Sequence, residues 1–234
     1  MTTTVPDLLV TETFGPTLQG EGPSCGQRAV FIRLSRCNLT CGWCDEPQTW
    51  DRKRFDLGAH TVRRSPVSLA GWALSQDTEL VVITGGEPLM QHKLVSVVDT
   101  LLRAGRRIEF ETNGTIAPLA DLVSDRVQFN VSPKLSSSGV PEARRIVPGA
   151  LQALSHTNSL YKFVITAAHR ESDLAEVQAL THSYRLQPVW LMPEGTTRSV
   201  VSAGLRALAE PALTHGWNLT SRLHVELWEN ANGR

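Results

Sequence analysis

Cys37-Asn38-Leu39-Thr40-Cys41-Gly42-Trp43-Cys44-Asp45, called the cysteine loop below, is the stretch around which the rest of the chain can be interpreted. Its cysteines are separated by three and then by two residues. Three thiolates can hold three irons of a four-iron cluster and leave the fourth iron open to a ligand. A zinc site that recruits Cys25 or a histidine as fourth ligand is the alternative. The compact triplet, with no second cysteine pair downstream, favours the cluster.

Composition narrows the class of protein. The chain has 234 residues, of which 41% are hydrophobic and 20% charged, as in soluble proteins with a sizeable core. Lys+Arg and Asp+Glu both total 23, so the net charge gives no reason to expect nucleic acid or an anionic membrane as partner. The sequence shows neither a membrane span nor a secretion signal. We therefore expect a cytoplasmic protein, one domain over residues 1–234 and no disulfide framework.

Apolar runs of strand length alternate with amphipathic helical patterns. This alternation predicts an α/β fold with a mostly parallel sheet, either a curved partial barrel or an open doubly wound sheet. The predicted strands cover 8–14, 28–34, 79–84, 107–112, 126–131, 161–165, 188–192 and 223–228, and the predicted helices cover 68–74, 90–102, 172–182 and 200–209.

Polar or glycine-rich segments follow several of the predicted strands, as the cysteine loop does. The carboxyl ends of parallel strands are where such folds bind ligands, so the pattern predicts one shared site. Arg33, inside a predicted strand, is either an edge residue or an anion-binding group. His224 and Trp228, on the last predicted strand, are expected in the core. The four segments are Gly85-Gly86-Glu87, Thr112-Asn113-Gly114, Ser132-Pro133-Lys134 and Met192-Pro193-Glu194-Gly195.

Two of these features together resemble the radical S-adenosylmethionine superfamily. They are the cysteine loop, with an aromatic residue before its last cysteine, and Gly85-Gly86-Glu87-Pro88 after the next long strand. The resemblance implies a [4Fe-4S] cluster on Cys37, Cys41 and Cys44, whose open iron binds S-adenosylmethionine. The cofactor then supplies the chemistry, and the protein supplies placement and exclusion of water.

Further segments narrow the resemblance to the 7-carboxy-7-deazaguanine synthases and extend it over nearly the whole chain. That family converts 6-carboxy-5,6,7,8-tetrahydropterin into 7-carboxy-7-deazaguanine with release of ammonia, a step toward queuosine and related deazapurines. The resemblance implies a shortened partial (β/α)6-type barrel of the radical S-adenosylmethionine kind. The segments are Thr17 to Gly22, Phe31 to Leu34, Cys44-Asp45 with Thr49-Trp50, Phe129 to Lys134, Leu191 to Gly195 and Arg222 to Val225.

The same resemblance implies roles for individual residues. The family holds Mg²⁺ through a Thr or Ser directly after the Cys-Asp pair, where this chain has Glu46. Either Glu46 binds Mg²⁺ in place of that hydroxyl, or its charge stands in for part of the metal site. A homodimer and an electron donor such as flavodoxin or ferredoxin are further implications. The implied pterin-binding residues are Leu18, Gln19, Gly20, Arg33 and Thr84, and the implied S-adenosylmethionine-binding residues are Trp43, Cys44, Asp45, Gly86, Glu87, Ser132 and Lys134.

Two other functions compete with this one. An activase that makes a glycyl radical on a partner protein would share the cysteine spacing, but it would not need the Leu18-to-Gly22 and Ser132-to-Lys134 segments. A non-catalytic zinc or iron–sulfur module would contain a metal site indifferent to S-adenosylmethionine, and metal analysis separates the two. Cys25 is expected to be a free thiol.

Overall fold

A computed structural model describes residues 7–229, which form one nine-stranded sheet in the order β3-β1-β2-β4-β5-β6-β7-β8-β9. Every neighbouring pair from β2 to β9 is parallel, whereas β1 is antiparallel to both β2 and β3. The strands are β1 Leu8–Leu18, β2 Arg28–Leu34, β3 Val62–Arg64, β4 Leu80–Gly85, β5 Arg107–Thr112, β6 Val127–Val131, β7 Ser159–Ile165, β8 Val189–Pro193 and β9 Asn218–Leu219.

The order of the parallel strands decides between the two predicted architectures. From β2 to β9 each new strand is added on the same side of the previous one, with no reversal. A doubly wound sheet reverses its order at a switch point, so that alternative is wrong. Contacts also join the chain after β9 to the loop after β1, because Leu223 N donates to Gly20 O at 2.8 Å. The sheet is therefore curled, which confirms the mostly parallel partial barrel.

Helices connect and flank the strands of this sheet. The described helices are α1 Pro66–Leu74, α2 Leu94–Arg103, α3 Glu142–Arg145, α4 Pro148–Ser155, α5 Arg170–Tyr184, α6 Arg198–His215 and α7 Leu223–Trp228. Helix α2 shows why such segments fold as they do: Leu94, Val97, Val98 and Leu101 recur at helical spacing and are all buried in the main core. No helix within residues 7–229 combines the length and the apolar character needed to cross a bilayer.

The predicted strand 223–228 is wrong, since these residues form α7. The alternation of Leu223, Val225 and Leu227 resembles a strand, but six residues cannot separate a period of two from one helical turn and a half. The place beside β8 is taken by β9, whose Asn218 and Leu219 pair with Trp190 and Leu191. Beyond β9 the backbone instead makes helical bonds, with Glu226 N donating to Arg222 O at 3.0 Å.

Smaller differences concern where elements begin and end. Strand β1 continues to Leu18 rather than stopping at residue 14, with register shifts in its pairing to β2. Helix α2 begins at Leu94 rather than at Met90, because Pro88–Met90 form a separate 3-10 turn. The extension of β1 matters for function, since it carries Leu18 to the edge of the sheet where the site lies.

Candidate active site

The carboxyl ends of the parallel strands surround one cleft, and this cleft brings together nearly all the residues that the sequence indicates. All five predicted pterin-binding residues line it, as do the three cysteines and Glu46. Six of the seven predicted S-adenosylmethionine residues also line it; Glu87 is the exception. Those six are Trp43, Cys44, Asp45, Gly86, Ser132 and Lys134.

The Gly85-Gly86 pair allows the end of β4 to pack directly against the entry to the cysteine loop. Gly85 has a φ of 135°, and a Cβ there would clash with the backbone of Leu34. A Cβ on Gly86 would clash with the carbonyl group of Arg36. The close approach permits two backbone hydrogen bonds, from Gly86 N to Leu34 O (3.1 Å) and from Glu87 N to Arg36 O (2.8 Å). The two motifs that carried the family resemblance are therefore physically interlocked.

Glu87 is completely buried behind the cleft wall. Its carboxylate accepts hydrogen bonds from Asn113 N (2.7 Å), Thr112 Oγ1 (2.8 Å) and Leu89 N (3.0 Å). Burial raises the pKa of this carboxyl, although these donors oppose the rise. In this structure Glu87 orients the turn after β5, and its predicted contact with the S-adenosylmethionine ammonium stays a prediction.

The three cysteines of the loop are free thiols, as is the exposed Cys25. Cys41 is buried against Leu39 and Val140, and Cys37 and Cys44 pack against the same group. Burial raises the pKa of all three loop thiols, that of Cys37 to about 12. A metal must therefore displace a proton from each sulfur when it binds.

The surroundings of these thiols fit an iron–sulfur cluster. Within residues 7–229, no three His, Cys, Asp or Glu side chains converge on the position of a single metal ion. A zinc ion needs its sulfur ligands at about 2.3 Å, whereas a four-iron cluster distributes its thiolates over separate irons. The buried indole N–H of Trp43, in the cleft wall, has no acceptor among the described residues, whereas the Trp50 side chain hydrogen-bonds the Cys44 sulfur. An unpaired buried donor is costly, so Trp43 indicates that a ligand supplies an acceptor there.

Arg33 is an interior, cleft-facing residue, because β2 lies between β1 and β4. The edge-residue alternative is therefore wrong. Arg33 Nε donates to Glu12 Oε1 at 2.8 Å, and Arg33 Nη1 lies 3.1 Å from Glu46 Oε1. Its guanidinium also stands 5.6 Å from the centre of the Phe14 ring. The two carboxylates hold the guanidinium in place and leave its Nη2 edge for an anionic ligand.

Glu46 shares this environment. Its carboxylate also accepts a hydrogen bond from Gln48 Nε2. Burial raises the pKa of Glu46 to about 7; Arg33 opposes this rise, and the nearby Asp45 and Glu12 carboxylates add to it. Glu12, Asp45 and Glu46 thus bring three acidic groups to one side of the cleft.

Glu21, Lys162 and Arg222 are among the cleft residues for which the sequence predicted no role. Glu21 pairs with Lys162 Nζ and with Arg222 Nε, the latter at 3.3 Å. Burial alone would raise the pKa of Glu21, but the Lys162 and Arg222 cations outweigh it and hold that pKa well below its ordinary value. Glu21 and Arg222 lie in segments that carry the family resemblance, whereas Lys162 had no sequence signal beyond its place in a predicted strand, since charge pairing across distant segments leaves no local pattern.

His224 was expected in the core, and that expectation is wrong. It lies half-buried on α7 in the cleft wall, so close to Gly20 that a Cβ on Gly20 would overlap its ring. Burial lowers its pKa, although the Glu21 carboxylate opposes this. Trp228, at the end of α7, is also only half-buried.

Comparison with known proteins agrees with this geometry. The Radical SAM superfamily model matches residues 31–134, from β2 through the cysteine loop to Lys134. A 7-carboxy-7-deazaguanine synthase from Halobacterium salinarum is 35% identical over 97% of this chain and 92% of its own length. The enzyme of the same name from Pyrobaculum aerophilum is 34% identical, with 98% of each chain covered.

Solved structures agree as well. Escherichia coli QueE superposes with a TM-score of 0.69 at 25% identity, covering 92% of this chain and 93% of that one. Streptococcus suis SuiB superposes with a TM-score of 0.55 at 11% identity, covering 80% of this chain and 46% of its own, which shows a shared fold alone.

Proposed function

This chain belongs to the 7-carboxy-7-deazaguanine synthase family of radical S-adenosylmethionine enzymes, and we propose that its cleft performs that family's reaction. The enzyme is a carbon–nitrogen lyase that converts 6-carboxy-5,6,7,8-tetrahydropterin into 7-carboxy-7-deazaguanine with release of ammonia. One observation carries the proposal: residues from Leu18 to Lys134, indicated for two different ligands, line a single cleft at the carboxyl ends of the parallel strands.

The cleft has two halves, one for the cofactors and one for the substrate. When bound, the [4Fe-4S] cluster and S-adenosylmethionine supply a carbon radical that takes a hydrogen atom from the substrate. Cys37, Cys41 and Cys44 would hold the cluster. The cofactor half also contains Lys134, whose Nζ donates to Ser132 Oγ at 3.0 Å and stands 5.5 Å from the centre of the Trp43 ring. These contacts hold Lys134 at the wall, where its charge can meet a carboxylate of the cofactor.

The substrate half is built around Arg33 and the loop after β1. Arg33, fixed by Glu12 and Glu46, presents a guanidinium edge that matches the pterin carboxylate in shape and charge. Gln19 is almost fully buried, and its side-chain oxygen accepts hydrogen bonds from Gly20 N (2.7 Å) and Glu21 N (3.3 Å). It therefore shapes the backbone of the loop that would face the pterin ring.

Magnesium is part of the proposal, with Glu46 as the residue that faces it. A carboxylate is a stronger ligand for this hard cation than the hydroxyl of the family pattern. The ion pair with Arg33 supports the other version, in which Glu46 and Arg33 balance each other's charge and the need for Mg²⁺ is reduced. Activity titrated with Mg²⁺ in the wild type and in Glu46→Thr tests both versions. Either version predicts that the two profiles differ, so identical profiles contradict both.

Several further properties are proposed on the same basis. The enzyme is cytoplasmic, forms a homodimer and receives electrons from flavodoxin or ferredoxin. Residues 1–234 make up one domain, which is supported by the continuous sheet of the described residues. Small molecules, rather than nucleic acid or membrane, are its substrates.

The deciding experiment is anaerobic. The cluster is reconstituted, and dithionite, Mg²⁺, S-adenosylmethionine and 6-carboxytetrahydropterin are added. Mass spectrometry should then detect both 7-carboxy-7-deazaguanine and 5′-deoxyadenosine. 5′-Deoxyadenosine without the deazaguanine would contradict the proposed substrate, and a protein that binds zinc and cleaves no S-adenosylmethionine would contradict the whole assignment.

A further inference from the structure

Arg222 joins three separate segments around the cleft. Its side chain is buried, and Nη1 donates to Gly195 O, just after β8, at 2.6 Å. Nε donates to Glu21 in the loop between β1 and β2, and Nη2 donates to Asp45 at the end of the cysteine loop. A single planar guanidinium thus reaches the two loops that would hold different ligands.

The position of Arg222 in the barrel gives these contacts their importance. The sheet is open, with β9 at one edge and β3 and β1 at the other. Arg222 follows β9 directly, whereas Asp45 and Glu21 follow β2 and β1. The guanidinium therefore spans the gap that the incomplete barrel leaves at its ligand-binding end.

Two other hydrogen bonds span only part of that gap. Leu223 N donates to Gly20 O at 2.8 Å, and Gly22 N donates to Thr220 Oγ1 at 2.8 Å. Both bonds reach the loop after β1. In the part of the chain that the structure describes, only the Arg222–Asp45 pair joins the segment after β9 to the cysteine loop by a hydrogen bond.

Charge balance explains why this pair should persist. Lys162 and Arg222 are buried cations that share the Glu21 carboxylate, and the Glu111 carboxylate in the same cleft also acts on Lys162. Asp45 is the second carboxylate that pairs with Arg222, although its side chain is 48% exposed at the rim of the cleft. A buried cation without a full set of partners is unfavourable, so Arg222 holds Asp45 toward itself.

We propose that Arg222 is a positioning residue that couples the substrate half of the cleft to the cofactor half by holding Glu21 and Asp45 at a fixed distance across the barrel gap. This inference rests on the proposed function for its catalytic consequence. Without Arg222, S-adenosylmethionine would still be cleaved, but the radical and the pterin would be misaligned. Small displacements of this kind have large effects on rate.

The catalytic test compares Arg222→Met and Arg222→Lys with the matched control Arg106→Met. Arg106 is also packed against backbone carbonyls, those of Leu74, Gln76 and Thr78, but it lies at the amino end of β5, away from the cleft. We expect the ratio of 5′-deoxyadenosine to 7-carboxy-7-deazaguanine to rise about tenfold in both Arg222 variants and to stay at the wild-type value in Arg106→Met. Lysine cannot reach three acceptors in fork geometry, so a wild-type ratio in Arg222→Lys would overturn the proposal.

The structural test needs neither cluster nor substrate. Hydrogen–deuterium exchange of the unliganded protein should become faster in residues 19–27 and 41–46 of Arg222→Met, and in Arg106→Met only near residues 74–79 and 104–107. Unchanged exchange in 41–46 overturns the proposal. If wild type makes no deazaguanine, the proposed function fails while this exchange test still decides the role of Arg222.

Asp45→Asn keeps the proposal falsifiable if Arg222→Met does not fold. It removes one carboxylate at the rim and leaves the pair between Arg222 and Glu21 in place. Exchange should then rise in 41–46 and stay unchanged in 19–27. A protein in which neither segment changes would contradict the coupling.

Discussion

Two parts of the cleft solve the problem of buried polar groups in opposite ways. The cysteine loop places three thiols in a largely buried position, with only two weak donors near Cys37: Leu39 N at 3.4 Å and Asn113 Nδ2 at 3.9 Å. The charge cluster, which we define as Glu21, Lys162 and Arg222, places three full charges in an equally buried position and pairs them with one another.

The cysteine loop therefore needs a bound ligand to satisfy its buried polar groups, whereas the charge cluster satisfies its own. Burial raises the pKa of the cysteine thiols, so the loop is ready for a metal only when the metal displaces the protons. In the charge cluster the cations lower the pKa of Glu21 and keep it ionised in the folded protein. The first region should therefore depend on iron, and the second on pH and on each member of the cluster.

Loss of a cysteine of the cysteine loop should have the largest effect of the changes proposed here. It should abolish cluster binding and catalytic activity. We expect Cys41→Ala to contain little reconstituted iron and to form no detectable 5′-deoxyadenosine, because a cluster cannot be held by two thiolates in this loop. Cys25→Ala is the control, since Cys25 is exposed and lies outside the cleft lining. Iron analysis and the mass spectrometric assay measure both variants. Normal iron content in Cys41→Ala would contradict the claim that the cysteine loop holds a cluster through all three thiolates.

Loss of Glu21 should act on stability rather than on iron. Glu21→Gln leaves Lys162 and Arg222 without their shared carboxylate, and breaking such a buried pair costs about 3 kcal/mol in the free energy of unfolding. Glu79→Gln is the control: Glu79 pairs with Arg107 at the surface, with its side chain 64% exposed, and such pairs contribute less than about 1 kcal/mol. Urea unfolding measures the difference, and equal losses would show that the charge cluster is not a buried unit.

The difference in the free energy of unfolding between wild type and Glu21→Gln should depend on pH. Because the folded-state pKa of Glu21 lies below its ordinary value of 4.5, its contribution is complete above about pH 4.5 and is lost as pH falls through the folded-state pKa. The difference in unfolding free energy between wild type and Glu21→Gln should therefore be constant near neutrality and shrink in acid. A difference that grows in acid would reverse the assigned sign.

The smallest effect is expected where the cysteine loop rests on the protein backbone. Gly86→Ala forces the end of β4 away from Arg36, and overpacking of this kind costs about 1–3 kcal/mol. Gly71→Ala in α1 is the control, because nothing lies within contact distance of a Cβ there and alanine favours a helix. Thermal unfolding should show a lower midpoint for Gly86→Ala only. Reconstituted iron should fall with it if the turn after β4 positions the loop.

Local patterns predicted much of the site in advance. Cys37, Cys41 and Cys44, Gly86 and the segment around Lys134 follow buried strands, and the ends of parallel strands meet at one edge of a sheet. The sequence predicts the strand that contains Arg33 but not which strands flank it. Both roles of Arg33, edge residue and anion-binding group, therefore agreed with the sequence. The interior role followed only once β2 was seen between β1 and β4.

The alternation of strands and helices, the thiol triplet and the family could all be predicted from the amino-acid sequence, because each depends on residues that are close together along the chain. The three-dimensional fold was needed to establish that 223–228 is a helix, that His224 faces the cleft, and that Glu87 lies behind the cleft wall. It alone showed that Arg222 meets both Glu21 and Asp45. Those outcomes depend on which distant segments share one low-dielectric space, and ion pairs made there follow three-dimensional distance rather than sequence spacing.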